Sequence, residues 1–134
     1  MSRKTVYTKD APTAPLNASQ AVVCNGMVHC SGNLALEETM QIVAGGIQAE
    51  TRRVLENLST ILKAAGSSLA SVIKLNIFII SMDDFKAMND VYNEFFSKFD
   101  QKPCRTCVPV PQLAFGAKVE MDCVAILDPP SAKL

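Results

Sequence analysis

Arg105 and Glu120 are the residues of this chain whose types could do chemistry as a pair. A guanidinium presents a planar fork that grips a carboxylate through two charge-assisted hydrogen bonds. A glutamate carboxylate can orient a water molecule and take a proton from it. Both lie in Pro103–Leu127, which reads as two strands around a turn punctuated by Pro109, Pro111 and Gly116. Val119, Met121, Cys123, Ala125 and Leu127 alternate with Glu120, Asp122 and Val124, which is strand period. A hairpin centred near Gln112–Leu113 sets Arg105 directly opposite Glu120, both side chains on one face. On these residues alone the plainer reading prevails: a cross-strand salt bridge on a solvated face, common and individually weak.

Other reactive side chains are less promising. The five cysteines, at 24, 30, 104, 107 and 123, all fall in strand-like stretches, and no secretory signal precedes them. They read as reduced, mostly buried thiols of a cytoplasmic protein. Cys104 and Cys107 form a C-x-x-C, but on a strand positions i and i+3 face opposite ways, which spoils metal chelation and a redox pair alike. His29 is the single histidine and has no second one to join it in binding a metal. The first ten residues include Asp10 and hold no long amphipathic helix, so the mitochondrial matrix is the lesser expectation.

The elements that must hold Arg105 and Glu120 can be read in order. At 134 residues the chain is expected to form one domain, 1–134, long enough to bury a core. Thirteen basic and thirteen acidic residues cancel, which disfavours nucleic acid as a partner. The apolar runs fall far short of a membrane span. Val6–Tyr7 suggests a first strand, and the two prolines of 11–18 a loop. Asn25-Gly26 between apolar runs predicts a type I′ hairpin, and Ser31-Gly32-Asn33 closes its second strand. Apolar residues at spacings of three and four predict a helix over 43–65, begun by Gly45-Gly46 and ended by Gly66. Val72–Ile80 is the longest strand, with Ile73, Leu75, Ile77 and Ile79 on one face and Lys74, Asn76, Phe78 and Ile80 on the other. Ser81 or Asp83 caps a second helix whose core stripe is Phe85, Met88, Tyr92, Phe95, Phe96 and Phe99. Residues 128–134 read as a frayed tail. This order predicts an α+β sandwich. Two helices cover one side of the sheet, and Phe78 and Ile80 on the other side predict a homo-oligomer.

Across roughly residues 10–127 the chain resembles the RidA (YjgF) family, also described as endoribonuclease L-PSP-like. The resemblance rests on Arg105-Thr-Cys107-Val, Leu113 and Val119-Glu120-Met. It extends through Ser19-Gln20-Ala21, Asn25-Gly26, Ser31-Gly32, Glu56-Asn57-Leu58, Ala65-Gly66-Ser67-Ser68-Leu69, Val72-Ile73-Lys74, and Asn89 with Tyr92 and Phe95-Phe96. It implies a chorismate-mutase-like protomer, a mixed six-stranded sheet with two helices on one face, and a homotrimer with three sites in clefts between subunits. It also implies a deaminase that hydrolyses reactive enamino and imino acids such as 2-aminoacrylate to 2-oxo acids and ammonia, with no metal and no organic cofactor.

The resemblance assigns the substrate carboxylate to Arg105 and the attacking water to Glu120. It makes Cys107 a pocket-lining residue, Ser31 and Gly32 a backbone-donor segment, and Asn89 a side chain reaching the site from the helix region. It reverses the salt-bridge reading of the pair. Two positions depart from the family pattern. Leu16-Asn17-Ala18 stands where Gly-Pro-Tyr is usual, and Ala114 where proline is usual. Ala18 therefore predicts a roomier, slower pocket for bulkier enamino acids. Two alternatives accompany the deaminase: a noncatalytic, small-carboxylate-binding or chaperone-like trimer, and an RNA-directed translation inhibitor or ribonuclease, which the neutral charge opposes.

Overall fold

The computed structural model describes residues 2–13 and 17–130. Six strands form one sheet: β1 (Lys4–Val6), β2 (Ala21–Cys24), β3 (Met27–Asn33), β4 (Val72–Ile79), β5 (Cys104–Pro109) and β6 (Val119–Ile126). Two helices, α1 (Gly46–Ala65) and α2 (Phe85–Phe96), complete it. The strand order is β1-β2-β3-β6-β4-β5, antiparallel throughout except for the parallel pair β4–β5. The expected mixed six-stranded sheet with two helices is therefore present.

Local signals explain most elements. Asn25 and Gly26 have φ of 55° and 77°, the pair of positive values a type I′ turn needs, and Cys24 faces Met27 across it. Val54, Leu55, Leu58, Ile61 and Leu62 of α1 are buried against the sheet. The N–H of Gly66 closes the helix onto the Leu62 and Lys63 carbonyls. Ser81 caps the short 3₁₀ turn leading into α2, its Oγ accepting from the Asp83 N–H at 3.1 Å. Met88, Tyr92 and Phe96 are buried as expected, with Val91 beside them.

Three expectations are corrected. β5 and β6 are not a hairpin. They flank β4 on opposite sides, with Arg105 in register with Leu75 and Glu120 in register with Phe78. Pro109 within β5, and Pro103 and Pro111 beside it, suit an edge strand, where a missing N–H costs no ladder bond. Second, a register shift between Val72 and Lys74 turns Val72 into the core and leaves Ile73 41% exposed, so Ile73 departs from the inner face. Third, Asp128 is tied down. Its N–H donates to the Gly66 carbonyl at 2.9 Å, and its carboxylate accepts from the Ser68 and Ser71 hydroxyls. Residues 131–134 of that expected tail lie outside the described residues.

The core lies between the helices and the inner face of the sheet, where Val28, Leu75, Ile77, Ile79, Val119 and Met121 are fully buried. The outer face carries Phe78, Glu120, Asp122 and Val124, all half-buried, and exposed Val108 and Ile126. Among the described residues no helix lies on it. Asn76 and Asp122 satisfy each other there, Nδ2 to Oδ1, at 2.9 Å.

Candidate functional site

Arg105 sits on the edge strand β5. Its register partner Leu75 belongs to the core, so Arg105 projects towards the helices. There the guanidinium lies over the ring of Tyr92, 4.6 Å from its centroid, and 5.8 Å from that of Phe85. Such stacking holds a guanidinium in place. Among the described residues Arg105 has no carboxylate partner, since the ion pairs join Arg52 to Glu94 and Lys86 to Asp90. Burial raises the Tyr92 phenol above its ordinary range, with Arg105 opposing.

Cys107, two residues along β5, lies on the same face and packs against the core. Burial raises its thiol pKa, again against Arg105, so the thiol stays protonated near neutral pH. Cys104 is exposed and faces away, its Sγ 3.2 Å from the Ile73 carbonyl, so the C-x-x-C is split across the sheet. Only Cys30 and Cys123 are fully buried, fewer than expected, because β2 and β5 lie towards the edges of the sheet. Asn89, half-buried on α2, follows Phe85 by four residues and precedes Tyr92 by three, which places it in the stripe that meets Arg105.

Glu120 belongs to the other face. It alternates with fully buried Val119 and Met121, and its carboxylate lies against the backbone of Gly32. A β-carbon at position 32 would overlap Glu120 Oε2, so the glycine is what admits the carboxylate. Burial raises the Glu120 pKa, and the neighbouring Asp122 charge raises it further. It too has no ion-pair partner among the described residues.

Ser31 and Gly32 occupy the irregular stretch of β3 between Cys30 and Asn33. The Ser31 N–H donates to the Gln20 carbonyl at 3.0 Å and its hydroxyl to the Ser19 carbonyl at 2.6 Å, so both Ser31 donors hold β2. Ala18, Ser31, Gly32 and Glu120 line one cavity of about 210 Å³. Leu16, the first of the three departing positions, lies outside the described residues.

Sequence-based reading missed four contributors. Phe85 and Tyr92 were expected only as core, yet both also bed Arg105. Phe115, an aromatic beside glycine in a turn, lines the Glu120 cavity. Glu50 is 3% exposed on α1 and accepts the Lys118 N–H at 2.8 Å, anchoring β6 two residues before Glu120. Its signal was a glutamate inside the stripe of Ile47 and Val54.

A family model described as Endoribonuclease L-PSP matches residues 8–127. The chain belongs to the RidA (YjgF) family. RidA relatives align over nearly its whole length. It is 38% identical over 129 residues to Protein mmf1, mitochondrial, of Schizosaccharomyces pombe, covering 94% of this chain and 78% of that one. It is 36% identical over 129 residues to the 2-iminobutanoate/2-iminopropanoate deaminase of Capra hircus, covering 95% and 92%. Among solved structures it matches E. coli TdcF with bound serine at a TM-score of 0.87 and 35% identity, covering 93% of this chain and 99% of that one. No helix among the described residues is long and apolar enough to cross a membrane.

Proposed function

We propose that this RidA protein is a cytoplasmic homotrimer that hydrolyses enamino and imino acids to 2-oxo acids and ammonia at sites shared between subunits. One observation carries the reading. Within a chain, Arg105 and Glu120 lie on opposite faces of the sheet, each without an ion-pair partner among the described residues. A cation and a base kept apart in this way become one site when the outer face of one subunit, with Glu120, meets the β5 edge of the next, with Arg105. The apolar outer face supplies the contact. The relative named as an iminobutanoate deaminase and the TdcF structure with serine support an amino-acid-sized substrate.

The chemistry follows from the groups. Arg105 grips the substrate carboxylate and orients the molecule, with Cys107 and Asn89 beside it. The enamine tautomerises to the imine. Glu120 takes a proton from water as the oxygen adds to the C=N carbon. The nitrogen is protonated, and ammonia leaves as the carbonyl forms. The raised Glu120 pKa suits a group that must both accept and return a proton.

The test is the rate of 2-aminoacrylate loss, with the substrate generated in place by a serine dehydratase. The wild type should accelerate it. Glu120→Gln should lose about 10²–10⁴ of that rate, and Arg105→Ala should lose about ten- to a hundredfold in affinity for 2-oxo acids. Equal rates with and without protein would defeat the proposal. They would favour a noncatalytic carboxylate-binding trimer, the second reading, which Ala18 supports by removing a ring from the Glu120 cavity.

A further inference from the structure

The Glu120 cavity extends beyond the groups that the proposed chemistry uses. Its polar members include Gln20, Ser31, Asn33 and Glu120, but most of its lining surface is apolar, with Leu34, Leu36, Ile61 and Phe115 among the contributors. Hydrolysis of the smallest imines needs only a methyl-sized space beside the reacting carbon. The cavity holds about 210 Å³, whereas an apolar cavity of about 150 Å³ already binds benzene.

Phe115 is the unusual member. Its backbone is left-handed, φ 61° and ψ 16°, inside the turn Ala114–Gly116. Bulky side chains rarely adopt that conformation, and strained positions of this kind concentrate at ligand sites. The residue is 50% exposed and takes no part in the buried core. Among the described residues its ring stacks on no other aromatic. Ala18 lines the same cavity with no more than a methyl group. A half-exposed ring on a strained turn thus borders the same apolar cavity as Glu120.

We infer that Phe115 is a specificity-determining residue, and that the cavity receives a large apolar side chain, aryl or branched alkyl, of a 2-imino acid. This inference rests on the deaminase reading and names its substrate class. Phe115 packs on the side chain while Gly32 and Glu120 face the reacting carbon.

Imines made in place by an amino-acid oxidase from phenylalanine and from 2-aminobutanoate give the comparison, read as kcat/KM. Calorimetry with phenylpyruvate and 2-oxobutanoate reads binding independently of turnover. Phe115→Asn removes the ring with a residue that tolerates the left-handed backbone. The wild type should favour the phenylalanine-derived imine and phenylpyruvate by roughly tenfold or more, and Phe115→Asn should erase the preference in both measurements. Turnover of both imines without preference would overturn the inference and leave the deaminase reading intact. A phenylpyruvate preference that Phe115→Asn abolishes, without turnover of either imine, would uphold the pocket and defeat the deaminase reading. A preference unchanged in Phe115→Asn would overturn the role of Phe115.

Discussion

Glu120 and Glu50 illustrate opposite uses of one carboxylate. Glu120 must be ionised to act as a base, and burial together with Asp122 raises its pKa above 4.5. Activity should therefore fall with decreasing pH through a midpoint above that of an ordinary glutamate. Asp122→Asn removes the like charge and should move this acid limb to lower pH, which a kcat/KM profile would show. Glu50 is structural, and its pKa too is raised from 4.5, chiefly by burial. A raised folded-state pKa contributes stability that is fully present below about pH 4.5 and is lost as pH rises through the folded value. At neutral pH Glu50 is therefore a liability. Glu50→Gln keeps an acceptor for the Lys118 N–H and removes the charge. Urea unfolding should show it more stable than the wild type at pH 7, with the difference shrinking towards pH 4.5.

At the scale of elements, one side chain ties α1 to the floor of the candidate site. Asn57 is buried, and its Nδ2 donates to the Leu34 carbonyl at 3.2 Å and the Leu36 carbonyl at 3.3 Å. Asn57→Ala strands both carbonyls, at a cost of roughly 1–3 kcal/mol. Thermal unfolding should register that loss, and phenylpyruvate affinity should fall with it because Leu34 and Leu36 line the cavity. Both helices, the Asn25-Gly26 turn and the inner face of β6 were legible in the sequence, because each depends on near neighbours. The partner of β5 was not. Alternation around Glu120 shows which residues share its face, but nothing in that pattern says which strand lies alongside. Arg105 was harder still, since Cys104, Thr106 and Val108 on an edge strand do not reveal which side is buried. Three prolines in and around β5 were the available clue against a hairpin. Phe115 escaped because its position depends on a turn geometry that bulky residues seldom adopt.

For the whole molecule, the proposed trimer rests on the outer face. Phe78, Val108, Val124 and Ile126 make it apolar, and Glu120 and Asp122 stand among them. Sedimentation equilibrium at micromolar concentration should return three times the 14.5 kDa chain mass. Phe78→Asp places a charge in that contact and should yield monomers. If the site is shared, this variant should also lose deaminase activity while its circular dichroism stays native. A monomeric variant with full activity would exclude a shared site.

The position of β6 has a further consequence, for how the chain reaches this state. The sixth strand of the sheet in chain order lies in its middle, between β3 and β4. Until Val119–Ile126 has left the ribosome, β1–β3 and β4–β5 are separate fragments, and β3 and β4 each present an unpaired edge. Unpaired edges recruit other strands, and pairings distant in sequence form slowly. The nascent sheet is thus most vulnerable to aggregation until β6 emerges, and the same strand that carries Glu120 closes it.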